Sequence, residues 1–186
     1  TTTTTTTTTT DANKTQKRRG PFAIVLEPTR DLAQQTYKFF DDMIARAELP
    51  MIQAALLVGG VKPTATLKNL EQGRVDILVG TPPIVAFHVK KGTIPTTDCR
   101  FYCLDEADEL INTDYIEHVK AIYARLLVSS RQAASISRLQ VCFFSATLHD
   151  PKVQALAQTL CPVSSTLLTM PPNANDYSGP LDRVYN

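Results

Sequence analysis

The sequence predicts an α/β domain of the doubly wound type, with a parallel sheet covered by helices on both faces. Short, fully apolar runs such as Ala23–Leu26 and Phe101–Leu104 alternate with segments whose apolar residues recur at helical spacing. A strand with no polar face must be covered on both sides, which is typical of parallel sheets wrapped by crossover helices. With 186 residues, 43% of them apolar, the chain is long enough to bury such a core.

The predicted elements alternate in order from Phe22 onward. The predicted strands are Ala23–Leu26, Ile52–Val58, Val75–Val79, Phe101–Leu104, Val141–Phe144 and Thr166–Thr169. Between them, helical spacing predicts one helix from Leu32 to Ile44 and further helices at Pro63–Leu70, Pro83–Lys90, Tyr115–Val128 and Pro151–Leu160. In such a sheet the functional residues collect beyond the carboxyl ends of the strands, so the strand-to-helix junctions are the places to search.

The two ends of the chain differ from this pattern. Residues 1–20 begin with ten threonines and continue as a polar, basic stretch, so we predict that they are disordered. A single threonine strand is the alternative, but it offers no apolar face to bury. We assign residues 21–170 to the folded domain and residues 171–186 to a linker or tail.

Charge and cysteine content limit the possible partners and the compartment. The net charge of +1 excludes a polybasic body, so a nucleic-acid function must be argued from motifs. The four cysteines have no framework spacing, and neither a secretory leader nor a long apolar run is present. We therefore expect an intracellular protein of the nucleus or cytoplasm, with no membrane partner.

Two junctions carry acidic or hydroxyl side chains. The strand Phe101–Leu104 ends in Asp105, Glu106 and Asp108, and carboxylates on a rigid strand end can hold hydrated Mg²⁺ and polarise a water against a phosphoryl group. The alternative is an acidic turn that favours the dipole of the next helix. Ser145 and Thr147 follow the strand Val141–Phe144, where a helix N-cap is the alternative interpretation.

The remaining three junctions are suited to phosphate. Thr29 can cap the first helix, and Arg30 lies in its first turn, where the helix dipole disfavours a cation unless an anion binds there. Gly59-Gly60 and Gly80-Thr81 permit close approach of another backbone, and Thr81 can donate a hydrogen bond to it. Each of the two glycine junctions, taken alone, is more typical of a plain turn.

Taken together, these motifs resemble the first RecA-like domain of the DEAD-box ATP-dependent RNA helicases. The sequence PTRDLAQQ from Pro28 resembles motif Ia, Gly59-Gly60 the GG motif, Gly80-Thr81-Pro82 the TPG(R) motif, Asp105–Asp108 motif II and Ser145-Ala146-Thr147 motif III. Their order and spacing also agree with the family. The wording LEPTR and SATLH is most similar to the subgroup that carries a SPRY domain inserted between motifs I and Ia.

The resemblance implies a role for each matching residue. Asp105 would hold Mg²⁺ through water, Glu106 would orient the attacking water, and Asp108 would bond to Ser145 and Thr147, coupling nucleotide state to RNA binding. The implied contacts to the backbone of single-stranded or duplex RNA are Thr29, Arg30, Gly59, Gly60 and Thr81. ATP and Mg²⁺ are the implied cofactors, and a second RecA-like domain of the same protein is an implied partner.

The sequence departs from the family pattern in three ways. Asp31 stands where the family usually has Glu, and Pro83-Ile84 replaces Gly-Arg. No A-x-x-G-x-G-K-T phosphate loop occurs, because Lys14-Thr15 lacks its glycines. We therefore expect an incomplete RecA-like sheet without the phosphate-loop strand and helix, and an isolated chain that does not hydrolyse ATP. The alternatives are a degenerate, noncatalytic RNA-binding or protein-docking module and a DNA helicase or translocase.

Overall fold

The computed structural model describes residues 19–60, 62–132, 139–147 and 149–161. These residues form a five-stranded parallel sheet in the order β2-β3-β1-β4-β5. The strands are β1 (Ala23–Leu26), β2 (Ala54–Leu57), β3 (Ile77–Gly80), β4 (Phe101–Leu104) and β5 (Gln140–Phe143). The parallel α/β architecture predicted from the sequence is confirmed.

Helices connect consecutive strands. They are α1 (Arg30–Arg46), α2 (Thr64–Glu71), α3 (Pro82–Lys91), α4 (Ala107–Asn112), α5 (Ile116–Gln132) and α6 (Pro151–Leu160). In the described part of the chain, no helix combines the length and the apolar character that crossing a membrane requires.

The core consists of one layer on each face of the sheet. Alternate residues of a strand point to opposite faces, and in β1 this places Ile24 and Leu26 in one layer and Val25 in the other. The larger layer lies beneath the packed pair α3 and α5, and the smaller layer includes Ala33 of α1. Both layers are closed by helices, which explains why the strands carry so few polar residues.

The boundaries of most elements differ from the predicted ones by one to four residues. β1, β4 and α6 have their predicted bounds, whereas β2 is shorter than Ile52–Val58 and β3 begins at Ile77 rather than Val75. The short helix α4 was not predicted, because a six-residue helix is too short to show a periodic apolar pattern. The predicted strand Thr166–Thr169 lies outside the described residues.

Strand β5 forms one edge of the described sheet. Among the described strands it pairs with β4 alone, in the register Cys103↔Cys142. Its residues are exposed or half-buried, and the following Phe144 is 56% exposed. Within the described residues, this side of β5 therefore has no neighbouring strand.

The described chain begins inside the segment that we predicted to be disordered. Arg19 forms an ion pair with Asp76 at 2.6 Å and donates a further hydrogen bond to the carbonyl of Gly73. Its guanidinium lies 5.0 Å from the centre of the Phe22 ring, and the backbone N–H of Gly20 donates to Asp98. The prediction is therefore wrong for Arg19 and Gly20, because paired charge and cation–π contact fix them to the folded domain.

Candidate functional site

All five predicted junctions lie at the carboxyl-terminal edge of the sheet. The junctions after β1, β2 and β3 meet at a cleft, and those after β4 and β5 meet at an acidic loop, Asp105–Asp108. The two groups are neighbours because β1 and β4 are paired, with Leu26 opposite Leu104. The sequence separates these junctions widely, and the sheet brings them together.

The start of α1 places Thr29 and Arg30 at the cleft. Thr29 has extended backbone angles and its hydroxyl oxygen accepts a hydrogen bond from the Leu32 N–H at 3.3 Å, which confirms the predicted cap. Arg30 is therefore the first helical residue, and it is exposed. A guanidinium at this position adds its charge to the free N–H groups of the helix start, a combination that favours an anion.

The cleft has a volume of about 550 Å³. It is lined by Thr29, Arg30, Gly59 and Thr81, together with Pro28, Pro83, Ile84, Phe87 and Tyr115. Four of the five residues predicted to contact RNA thus line one cavity, and the fifth, Gly60, lies against the Arg30 guanidinium. The lining thus comprises a polar set, called here the polar wall, and an apolar set, called the apolar wall.

Gly80 and Thr81 occupy a crowded junction between β3 and α3. A Cβ on Gly80 would collide with the carbonyl of Leu57 on the neighbouring strand, so glycine is required for β2 and β3 to pair this closely. Thr81 follows in extended conformation before the proline that begins α3, and its side chain caps no N–H of that helix. The Thr81 hydroxyl is therefore available to a ligand at the cleft.

The acidic loop begins where β4 leaves the sheet. The N–H of Asp105 donates to the carbonyl of Leu26 at 3.0 Å, and the N–H of Glu106 donates to the Asp105 carboxylate at 3.0 Å. Glu106 has φ 45° and ψ 53°, a left-handed conformation that costs a non-glycine residue of the order of 1 kcal/mol or more. Burial and the carboxylates of Asp105, Asp108 and Glu109 raise the pKa of Glu106.

Asp108 joins the acidic loop to the segment after β5. The Thr147 hydroxyl donates to Oδ2 of Asp108 at 2.7 Å, and the Thr147 N–H donates to the Ser145 hydroxyl oxygen at 3.1 Å. The bond from Thr147 is the main cause that lowers the pKa of Asp108, with a smaller contribution from Ser145. The structure thus places the three predicted coupling residues in contact, while their coupling role stays a prediction.

Glu27 belongs to the site and was missed by the sequence analysis. It follows β1, is 1% exposed, and accepts a hydrogen bond from the Thr36 hydroxyl at 2.6 Å. Burial raises its pKa to about 7; the bond from Thr36 opposes this rise, and the neighbouring Asp105 and Glu106 add to it. In the sequence Glu27 is marked only as the residue before Pro28, a position that indicates extended backbone but not burial.

The chain belongs to the DEAD/DEAH box helicase family. The sequence model of this family matches residues 2–156 of the chain. The relatives named below are described as ATP-dependent RNA helicases. The predicted resemblance to the DEAD-box helicases, based on the five ordered motifs, is confirmed, and so is the predicted RecA-like fold.

Relatives extend this assignment. The chain is 35% identical over 140 residues to the ATP-dependent RNA helicase Ddx1 of Drosophila melanogaster, covering 75% of this chain and 19% of that protein. It is 38% identical over 135 residues to the probable ATP-dependent RNA helicase ddx1 of Dictyostelium discoideum, covering 73% and 16%. These matches agree with the predicted resemblance to the SPRY-bearing subgroup. The chain spans less than a fifth of the length of either relative.

The solved structures agree with the sheet topology. Mss116p, bound to single-stranded RNA and AMP-PNP, superposes with a TM-score of 0.67 at 27% identity, covering 76% of this chain and 28% of that chain. The yeast DEAD-box splicing factor Prp28 gives a TM-score of 0.65 at 27% identity, covering 75% and 30%.

Proposed function

We propose that this chain supplies the RNA-binding cleft and the water-activating carboxylates of an ATP-dependent RNA helicase. The observation that carries the proposal is the arrangement at one sheet edge, where the cleft with Arg30 adjoins an acidic loop whose Asp108 accepts the Thr147 hydroxyl at 2.7 Å. Asp108 belongs to the acidic loop and is hydrogen-bonded to Thr147 of the segment after β5, so a displacement of either segment changes this contact. We propose that this contact transmits nucleotide state to the RNA cleft.

The RNA part of the proposal concerns the polar wall of the cleft. Thr29, Arg30 and Thr81 present a hydroxyl, a guanidinium and a second hydroxyl to one cavity, and all of these groups donate to phosphate oxygens. Gly59 and Gly60 add no side chain that would hold a sugar–phosphate backbone away. Contacts of this type position a strand and carry no base information, so we propose backbone binding to single-stranded RNA at this wall.

The nucleotide part concerns the acidic loop. Carboxylate oxygens such as those of Asp105 and Glu106 are the donors that Mg²⁺ prefers, so the residues present fit a hydrated Mg²⁺ held by Asp105. When bound, ATP with Mg²⁺ supplies the phosphoryl group whose transfer to water drives the helicase. The chain's own contribution is to orient a water through Glu106, whose left-handed backbone lies at the turn between β4 and α4 and whose side chain caps no N–H of that helix. A second RecA-like domain of the same protein is the proposed partner across this edge.

The location of the protein in the nucleus or cytoplasm stays a prediction.

The RNA proposal is tested by titrating fluorescent single-stranded homopolymers with the full chain and with Arg30→Ala. We expect weak, salt-sensitive binding that Arg30→Ala reduces equally for every homopolymer. The slope of log Kd against log salt should fall by about 0.7, the value for one lost phosphate contact on a single strand.

The matched control is Arg46→Ala, which removes an exposed arginine from the opposite end of the same helix α1. This control should bind RNA like the unchanged chain. Equal binding by Arg30→Ala and Arg46→Ala, or strong discrimination among homopolymers that Arg30→Ala leaves intact, would show that the cleft is not the RNA surface.

A further inference from the structure

The apolar wall of the cleft lines the same cavity as the phosphate donors Thr29, Arg30 and Thr81. It consists of Pro83, Ile84 and Phe87 of α3, with Tyr115 from the segment before α5. Position 87 lies about one helical turn from positions 83 and 84, so its side chain neighbours theirs on the surface of α3. Two of these residues, Pro83-Ile84, stand where the sequence departs from the family's Gly-Arg pair.

Phe87 is the most exposed residue of this wall. Its side chain is 56% exposed although it lines the cavity, and the helix holds it one turn beyond Pro83. The ring meets the His88 imidazole edge-on, with centroids 5.0 Å apart and planes at 89°. This contact limits the orientations of the ring, so the aromatic surface at the cleft is preorganised.

Charge identifies the ligand that fits both walls at once. Arg30 and the hydroxyl donors Thr29 and Thr81 select an anionic, phosphate-like group, and the Lys91 ammonium lies 6.0 Å from the centre of the Phe87 ring. A flat apolar group covalently joined to a phosphate is a nucleotide, and the cavity of about 550 Å³ has room for one. Every nucleobase offers a π-face to an exposed aromatic ring.

We propose that Phe87 is a base-stacking residue, which receives one unstacked base of a single-stranded RNA whose adjoining phosphate is bound by Arg30. This inference rests on the proposed RNA function and adds to it a contact with the base rather than the backbone. Replacing a cation by Pro83-Ile84 removes one phosphate contact and supplies the apolar surface on which the base rests. Stacking tolerates all four bases, so the subsite adds affinity without strict sequence selection.

The first test uses Phe87→Trp in the full chain, because the sequence contains no tryptophan and the indole then reports on this position alone. Two probes are compared at low salt: oligoadenylate and an abasic ribose–phosphate oligomer of the same length. We expect the indole fluorescence to be quenched by oligoadenylate and to be unchanged by the abasic oligomer. Quenching by neither probe, or equal quenching by both, overturns the proposal.

The second test compares the affinities of Phe87→Ala and Arg30→Ala for the same two probes. Phe87→Ala should weaken oligoadenylate binding about tenfold and leave abasic binding unchanged, because only stacking is lost. Arg30→Ala should weaken both probes. Phe39→Ala, which removes a 62% exposed phenylalanine outside the cleft, is the matched control and should weaken neither.

The two variants separate the two proposals. If Arg30→Ala weakens both probes and Phe87→Ala weakens neither, the backbone cleft stands and base stacking is wrong. If Arg30→Ala has no effect, the proposed RNA function itself fails.

Discussion

The Arg30 guanidinium occupies the space that a side chain on Gly60 would fill. A Cβ at residue 60 would lie 2.5 Å from Nη1 of Arg30 and 3.0 Å from Nη2, closer than unstrained contacts allow. The φ angle of Gly60 is +82°, which only glycine adopts without strain. The absence of a side chain at Gly60 therefore leaves room for the Arg30 guanidinium at the cleft.

Gly60→Ala should weaken RNA binding, but less than Arg30→Ala, because the added methyl group displaces the guanidinium without removing its charge. The matched control is Gly92→Ala, whose φ of +77° imposes similar backbone strain but whose Cβ would have no atom within 4 Å. Both variants should lose roughly 1 kcal/mol of unfolding free energy, and only Gly60→Ala should lose RNA affinity. Anisotropy titrations and urea unfolding of the two chains measure both quantities, and equal RNA affinities would contradict the prediction.

Thr147→Val should raise the pKa of Asp108, because it removes the strongest of the hydrogen bonds that lower it. A depressed carboxyl pKa stabilises the fold above the ordinary pKa of aspartate, and this stability is lost as the pH falls through the depressed value. The variant should therefore be less stable than the unchanged chain at neutral pH, and the difference should disappear in acid. Carbon-detected NMR titration of Asp108 checks the shift, and Ser145→Ala should produce a smaller one.

Glu27→Gln should make the stability of the chain less dependent on pH. The folded-state pKa of Glu27 is raised to about 7. Its stabilising contribution to the free energy of unfolding is therefore fully present below the ordinary glutamate pKa, and it is lost as the pH rises to about 7. The loss amounts to as much as about 3 kcal/mol, at 1.36 kcal/mol for each pKa unit. The amide of the Glu27→Gln variant is uncharged, and its oxygen can still accept the Thr36 hydroxyl.

Urea unfolding at pH 5 and pH 8 measures this effect. The unchanged chain should lose stability between the two pH values, and the Glu27→Gln chain should lose much less. Glu71→Gln, an exposed glutamate at the end of α2, serves as the control and should behave like the unchanged chain. Identical pH profiles for all three chains would mean that Glu27 is not buried in its neutral form.

The β5 amides that point away from β4, toward the side where no described strand pairs, should exchange rapidly with solvent. The Gln140 N–H donates to the carbonyl of Arg100, just before β4, and the Phe144 N–H donates to the carbonyl of Leu104 in β4. Because successive N–H groups of a strand point to opposite sides, those of Val141 and Phe143 point away from β4. We expect Val141 and Phe143 to exchange far faster than Ile24 and Val25 of the central strand β1. Hydrogen exchange resolved by NMR decides this, and slow exchange throughout Val141–Phe144 would require a further strand beside β5.

The sequence predicted best those elements whose ends carry chemical markers. β4 is bounded by a change from Leu104 to Asp105, and α6 begins where Asp150 accepts the N–H of Lys152 at 2.7 Å ahead of Pro151. In both cases a local interaction fixes the boundary, so local sequence is sufficient. Where no such marker exists, as at the start of β3, the boundary depends on pairing with a strand distant in sequence.

The candidate site was predictable as a set of residues but not as a geometry. Family motifs single out Arg30, Gly60 and Asp108, and the sheet order that brings them together arises from long-range pairing. Neither the left-handed backbone of Glu106 nor the burial of Glu27 could be predicted, because both are imposed by neighbouring strands against the local preference. The exposed ring of Phe87 was likewise hidden, since one apolar face of a helix does not reveal which residues remain uncovered.

The attachment of Arg19 has a mechanical consequence. Its partners Asp76 and Phe22 precede β3 and β1, so the chain enters the fold at the amino ends of the strands, opposite the cleft. Tension on the polypeptide before Arg19 would therefore load the ion pair with Asp76 and the contact with the Phe22 ring before it reached β1.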